Sequence, residues 1–144
     1  MKLKIDNDAI AEEFFEDTRL LGVMAPIPVY QFVWQLNNGL RVDFRINNEI
    51  EIQLTRKNRN YYFAIYQHRE PHRSLDHFLY CNHYDGEYLL PEFKHMDFLW
   101  LAKGDVMQDE ETLSLTQSIR GINGVQLVTE LTHEKIRNKQ HLIF

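Results

Sequence analysis

Apolar residues recur along this chain in two rhythms, one close to helical and one alternating. Between Asn7 and Asp17, Ile10 and Phe14 stand four apart, Asn7 or Asp8 can cap, and Glu12 and Glu13 suit the early turns, which predicts a helix. Arg19 to Ala25 is strand-like and must end before Pro26 and Pro28. Behind Pro28, Tyr30, Val33, Trp34 and Asn37 fall at i, i+3, i+4 and i+7, and Asn38-Gly39 supplies a stop, so a short second helix is expected.

The rhythm then changes to a period of two. Val42, Phe44 and Ile46 alternate with Arg41, Asp43 and Arg45, and Ile50, Ile52 and Leu54 alternate with Glu49, Glu51 and Gln53, with Asn47-Asn48 as the hairpin turn between them. Tyr61 to Gln67 and His77 to Asn82 predict two more strands around the polar loop Arg69 to Ser74. The last third predicts a strand over Asp97 to Ala102, a turn at Gly104-Asp105, a helix from Asp109 to Ile119, a turn from Gly121 to Gly124 and a strand over Val125 to Leu131. In that helix Leu113, Leu115 and Ile119 are the expected apolar side. The order is a βαβ unit, split around another strand as in ferredoxin-like sheets. The tail ends in His141-Leu142-Ile143-Phe144, too apolar to stand in water, and should dock on the body. The expected architecture is therefore α+β: a largely antiparallel, curved sheet with helices mainly on one face, in a single domain over 1–144.

Composition narrows the classes. With 144 residues, 44% hydrophobic and 26% charged, the chain can build a core and lacks the balance of a disordered polymer. The formal charge of -5 works against coating nucleic acid or an anionic membrane. Cys81 is the single cysteine, which excludes an internal disulfide, and no apolar run reaches the length of a signal peptide core or a spanning helix. A cytoplasmic protein with no membrane partner is the expectation.

The segment Leu90-Pro91-Glu92-Phe93-Lys94-His95-Met96-Asp97-Phe98 resembles the signature of the bacterial IPExxxVDY family. Pro91, Glu92 and Asp97 match outright, while Leu90, Met96 and Phe98 replace Ile, Val and Tyr by residues of similar bulk. Leu21-Gly22-Val23, Tyr30, Trp34-Gln35-Leu36-Asn37, Leu99 to Gly104 and Leu142-Ile143-Phe144 extend the likeness along most of the chain. The resemblance implies a compact cytoplasmic domain and no particular reaction. Phe98 has no hydroxyl to act as an acid where the family has Tyr. Pro91 can open a helical turn, Glu92 can meet the positive end of that turn, and Asp97 can accept bonds from free backbone amides. These motif residues are read as architectural.

Other constellations suggest chemistry. His68, His72, His77, His83 and His95 cluster near Cys81 and Asp85, and His77, Cys81 and His83 are the candidate metal ligands. Their spacing matches no standard zinc pattern, and solvated histidines beside a small buried thiol account for it as well. No metal or other cofactor is therefore expected. Residues 55–73 carry Arg56, Lys57, Arg59, Arg69 and Arg73 against Glu70, a local charge of +4 that leaves -9 elsewhere. Within it, Arg59 to Tyr66 resembles the aromatic strand of RNA-recognition domains, but Asn60 and Tyr62 stand where small residues belong. The competing reading buries Tyr61, Phe63 and Ile65 on one face and turns Tyr62, Ala64 and Tyr66 to the other. No nucleophile elbow or phosphate loop is present.

The leading functional expectation is a non-enzymatic binding or protein-interaction module, with Tyr30, Trp34, Tyr62 and Trp100 as candidate anchors and self-association through an edge strand as the partner arrangement. The rival is a metal-dependent or acid/base enzyme that uses the histidine-rich segment with Glu92 and Asp97. Binding of single-stranded RNA through 55–73 ranks third.

Overall fold

The computed structural model describes residues 9–144. The first predicted helix is helical over 9–14 and turns over 15–17, while its proposed caps, Asn7 and Asp8, lie outside the described residues. Eight strands and two longer helices follow: β1 (Arg19–Met24), α1 (Val29–Gly39), β2 (Arg45–Arg56), β3 (Arg59–Arg69), β4 (Asp76–Cys81), β5 (His83–Tyr84), β6 (Glu87–Tyr88), β7 (Phe98–Lys103), α2 (Asp109–Arg120) and β8 (Leu127–Glu130). Short 3-10 turns occupy Pro91–Phe93, His133–Lys135 and Lys139–Leu142.

Six strands form one sheet in the order β2-β3-β4-β7-β1-β8, and every neighbouring pair is antiparallel. Because β7 and β8 both run antiparallel to β1 between them, they are parallel to each other, and α2 connects them. The predicted split βαβ unit is therefore present. A second one interleaves with it, since β1 and β4 flank β7 in the same way. The strands β4-β7-β1-β8 thus form a ferredoxin-like sheet, which β2 and β3 extend at one edge.

Both sides of the sheet are covered. On one, α1 and α2 pack Phe32, Leu36 and Ile119 against Leu21, Val23, Leu79, Phe98, Trp100 and Val128. Phe32 stacks on Phe98 with ring centres 4.5 Å apart, a burial that contributes about 2–3 kcal/mol. On the other side Ile52, Phe63, Ile65, Tyr80, Leu99 and Leu101 meet Phe15, Leu89, Leu90, Met96, Leu131, Ile136 and Leu142. The apolar tail does dock: Leu142 is fully buried and its carbonyl accepts the Tyr80 hydroxyl at 2.8 Å. Gly22 makes room on this side, because a Cβ there would stand 2.9 Å from Met96 Cγ.

Three expectations are corrected. No hairpin forms at Asn47-Asn48, and the segment around Val42 and Phe44 is not a strand. The strand β2 runs through both asparagines and bulges there, using three more residues than β3 between the pairs Ile46↔Tyr66 and Glu51↔Ala64. Asn47 stabilises the bulge by accepting from the Glu49 amide at 2.9 Å and donating to Gln67 at 2.7 Å. The hairpin closes instead at Lys57-Asn58, both with positive φ as a primed turn demands. The expected helix α1 is present: its buried stripe is Phe32 and Leu36, with Val33 at its margin, which leaves the candidate anchors Tyr30 and Trp34 facing solvent at 73% and 66% exposure. In α2 Leu113 is exposed, and Thr112, Thr116 and Ile119 form the buried side. The Thr116 hydroxyl satisfies itself on the Thr112 carbonyl at 2.8 Å, which lets a polar residue occupy a core position.

Candidate functional site

The strand alternation decides which side chains share the helix-covered face. Along β3 it is Tyr62, Ala64, Tyr66 and His68; along β4, His77, Leu79 and Cys81; along β7, Phe98, Trp100 and Ala102. The middle row, Leu79 and Trp100, lies among α1, Phe44 and Leu21. The two outer rows open into cavities at opposite ends of this face.

The first cavity, about 850 Å³, is wide and more polar than the second, lined by His68, Glu70 and His77 from the sheet and by Glu110, Glu111, Ser114 and Ser118 from α2, with Val42, Met107 and Leu115 among its apolar lining. At its floor is a three-membered chain. Trp100 Nε1 lies 2.9 Å from His77 Nδ1, and an indole N–H can only donate, so that ring nitrogen carries no proton. The proton sits on Nε2, which donates to Glu70 Oε2 at 2.7 Å. His77 is buried, and burial pushes its pKa down against the opposing pull of Glu70. His68 stacks over His77 and accepts the Asp43 amide at 3.1 Å. Arg73 answers Glu111 at 2.6 Å and Asp105 at 3.0 Å.

The second cavity, about 340 Å³, is smaller, more enclosed and mostly apolar. Ile27, Pro28 and Val29 wall it at the start of α1, and Tyr62, Tyr66, Cys81, His83, Tyr84 and Phe98 form the opposite side with Asp97. Burial pushes the Cys81 thiol up to about 11, so it packs as a neutral group and is neither a ready nucleophile nor a thiolate ligand. One carboxylate oxygen of Asp97, Oδ2, accepts the Ala25 amide at 2.8 Å where β1 ends. Its other oxygen lies 3.7 Å from His83 Nε2, beyond hydrogen-bond reach.

The motif segment is held by a residue that sequence reading passed over. Asn82, fully buried, donates to the Phe93 and Met96 carbonyls and accepts the Leu90 amide, all at 2.8–2.9 Å. Pro91 opens the 3-10 turn, and Glu92 just inside it reaches the tail, accepting the backbone amides of Arg137 (2.6 Å) and Asn138 (2.8 Å) and the Asn138 side chain (2.9 Å). Burial alone would raise the Glu92 pKa, but these hydrogen bonds outweigh it and hold the carboxyl below its ordinary range.

The candidate residues therefore part company. Tyr62, Cys81, His83, Asp97 and Phe98 converge on the apolar cavity. His77 lines the polar cavity at the other end, so the three candidate metal ligands do not share a site, and among the described residues no group of three or more His, Cys, Asp or Glu could hold a metal ion. Trp100 is corrected as an anchor: it is 1% exposed, because its ring fills the core and its N–H is spent on His77. Tyr61, Phe63 and Ile65 are buried on the tail side of β3, leaving Tyr62 and Ala64 exposed on the other. Arg59, Arg69 and Arg73 from the basic segment pair with Asp85, Asp76 and Asp105.

Sequence reading missed Tyr66, Tyr84 and the Ile27–Val29 wall. Tyr66 was legible as the third member of the Tyr62, Ala64 alternation, and Asp85-Gly86, both at positive φ, marks the small β5-β6 hairpin that carries His83 and Tyr84. Among the described residues no helix is long and apolar enough to cross a membrane. Comparison with family models, with curated proteins and with solved structures returned no match.

Proposed function

We propose that this chain is a non-enzymatic binding module whose ligand site is the apolar cavity at the start of α1. The observation that carries this is convergence: a half-open, aromatic-walled cavity of about 340 Å³ gathers Tyr62, Cys81, His83, Asp97 and Phe98 in one place. Such cavities, apolar with a few placed polar groups, are where small ligands gain binding energy from burial and orientation from hydrogen bonds. The engaged side chains support the same reading. Glu92 is saturated by the tail, Cys81 is held protonated, and His77 has both ring nitrogens engaged, so of the two carboxylates the acid/base rival would use only Asp97 keeps an open oxygen.

The same proposal includes membership of the bacterial IPExxxVDY family and a cytoplasmic location, supported by the Leu90 to Phe98 motif and the single cysteine. Self-association through a sheet edge has less support. The edge strand β2 is bulged and carries Glu49 and Glu51, and the four-residue edge strand β8 has its Val128 carbonyl occupied by Arg120 at 3.0 Å. The test is a ligand-observed NMR screen of small aromatic and aliphatic fragments against the native chain and Ala64→Phe. Ala64 is exposed on the cavity lining, so the larger ring fills the space without entering the core. Fragments that bind the native chain and are lost in Ala64→Phe support the reading; equal binding to both contradicts it.

A further inference from the structure

Charge at the apolar cavity is one-sided. Among the described residues its lining has one acidic group, Asp97, and no Lys or Arg. Ala25 occupies one Asp97 oxygen, while among the described residues the other has no hydrogen-bond donor within reach, and the Asp97 side chain is 22% exposed. Around it stand the rings of Tyr62, Tyr66, Tyr84 and Phe98. Aromatic faces attract cations, and a carboxylate in a largely apolar wall is screened less than one in open water. The start of α1 brings a partial positive charge of roughly half a unit, which the full charge of Asp97 outweighs. His83, the imidazole at the wall, stands 3.7 Å from the same oxygen, within ion-pair distance but beyond a hydrogen bond.

We infer that the cavity selects small organic cations: a primary ammonium on a flat aromatic or short aliphatic body, its head at the open oxygen of Asp97 and its body against the tyrosines and Phe98. The inference rests on the proposed reading of this cavity as a ligand site and adds the class of ligand. A volume of about 340 Å³ suits one aromatic ring with a short side arm and excludes larger conjugated bodies.

A matched series tests it by calorimetric titration at low salt: 2-phenylethylammonium, neutral 2-phenylethanol and anionic 3-phenylpropionate. The ammonium should bind at least about tenfold tighter than the alcohol, and the carboxylate more weakly than either. In Asp97→Asn an amide oxygen still accepts the Ala25 amide, and ammonium and alcohol should come within about twofold of each other as the charge is lost. Should that variant fail to fold, the native chain carries the test through salt, since raising it must weaken the ammonium and leave the alcohol unchanged. An alcohol that matches the ammonium overturns the cation inference and leaves the cavity as a ligand site. If none of the three binds, or if Ala64→Phe binds them as the native chain does, the inference falls together with the reading beneath it.

Discussion

The two ends of the helix-covered face are built from the same strands and end in opposite states. At the polar end, Trp100, His77 and Glu70 form a closed chain of donors and acceptors, and Arg73 answers the carboxylates of α2 and its approach loop. At the apolar end the walls are rings and aliphatic side chains, and Asp97 keeps one oxygen uncommitted. Size alone would favour the polar end as the binding site, since its cavity is the larger. Chemistry favours the other. A satisfied network gains little from a newcomer that must first displace its bonds, whereas an apolar wall with one open acceptor gains from both burial and a hydrogen bond.

That contrast can be broken at several depths. The largest effect should come from unseating the loop that presents Asp97. Replacing Asn82 by Ala leaves the Leu90 amide and the Phe93 and Met96 carbonyls without their partner in a buried site, and urea unfolding should show a loss of roughly 2–4 kcal/mol.

Trp100→Phe attacks the polar end. It keeps most of the ring volume, leaves His77 Nδ1 without a donor, and should cost about 1–3 kcal/mol. Its pH signature is more specific. Because His77 is depressed in the folded state, its contribution to stability is complete above the ordinary histidine value of about 6.5 and falls as pH drops below it. Without the indole donor, Nδ1 can take a proton, so the His77 pKa followed by NMR should rise and the loss of stability on acidification should shrink. A His77 titration unchanged by Trp100→Phe would show that the chain does not set its protonation.

Glu92→Gln belongs to neither cavity and serves as the reference. The carboxyl is depressed in the folded state, so its stabilisation is present above the ordinary value of about 4.3 and is lost as pH falls below it. The variant should lose about 1 kcal/mol at neutral pH and show a flatter acid limb, with ligand binding at the apolar end unchanged. Smallest of all is the expected effect of Ala64→Phe on stability, within about 0.5 kcal/mol, because the position is solvent-facing. Its effect on binding should be complete.

Much of the fold was legible in the chain because its periodicities are local. The alternation of Tyr61, Phe63 and Ile65, the Gly104 turn and the order strand, helix, strand at the end survive folding as read. The phase of α1 was not, since Tyr30, Val33, Trp34 and Asn37 satisfy the helical spacing as well as Phe32 and Leu36 do. Only packing against Phe98 and Trp100 shows which stripe is inside. The β2 bulge was hidden for a related reason: Asn47-Asn48 suits a turn or a bulge, and its bond to Gln67 across the sheet is a long-range event. The candidate site was half legible. Asp97, Phe98, Cys81, His83 and Tyr62 stand out by type, yet only the sheet register brings β3, β4 and the motif loop to one cavity and carries His77 to another.

The most direct test of the contrast is backbone chemical-shift mapping during titration with 2-phenylethylammonium. Saturable shifts should centre on Ile27, Val29, Ala64, Cys81 and Phe98, with Glu70, His77 and Glu111 unmoved. Shifts centred on Glu70, His77 and Glu111 instead would place binding at the polar end and contradict it.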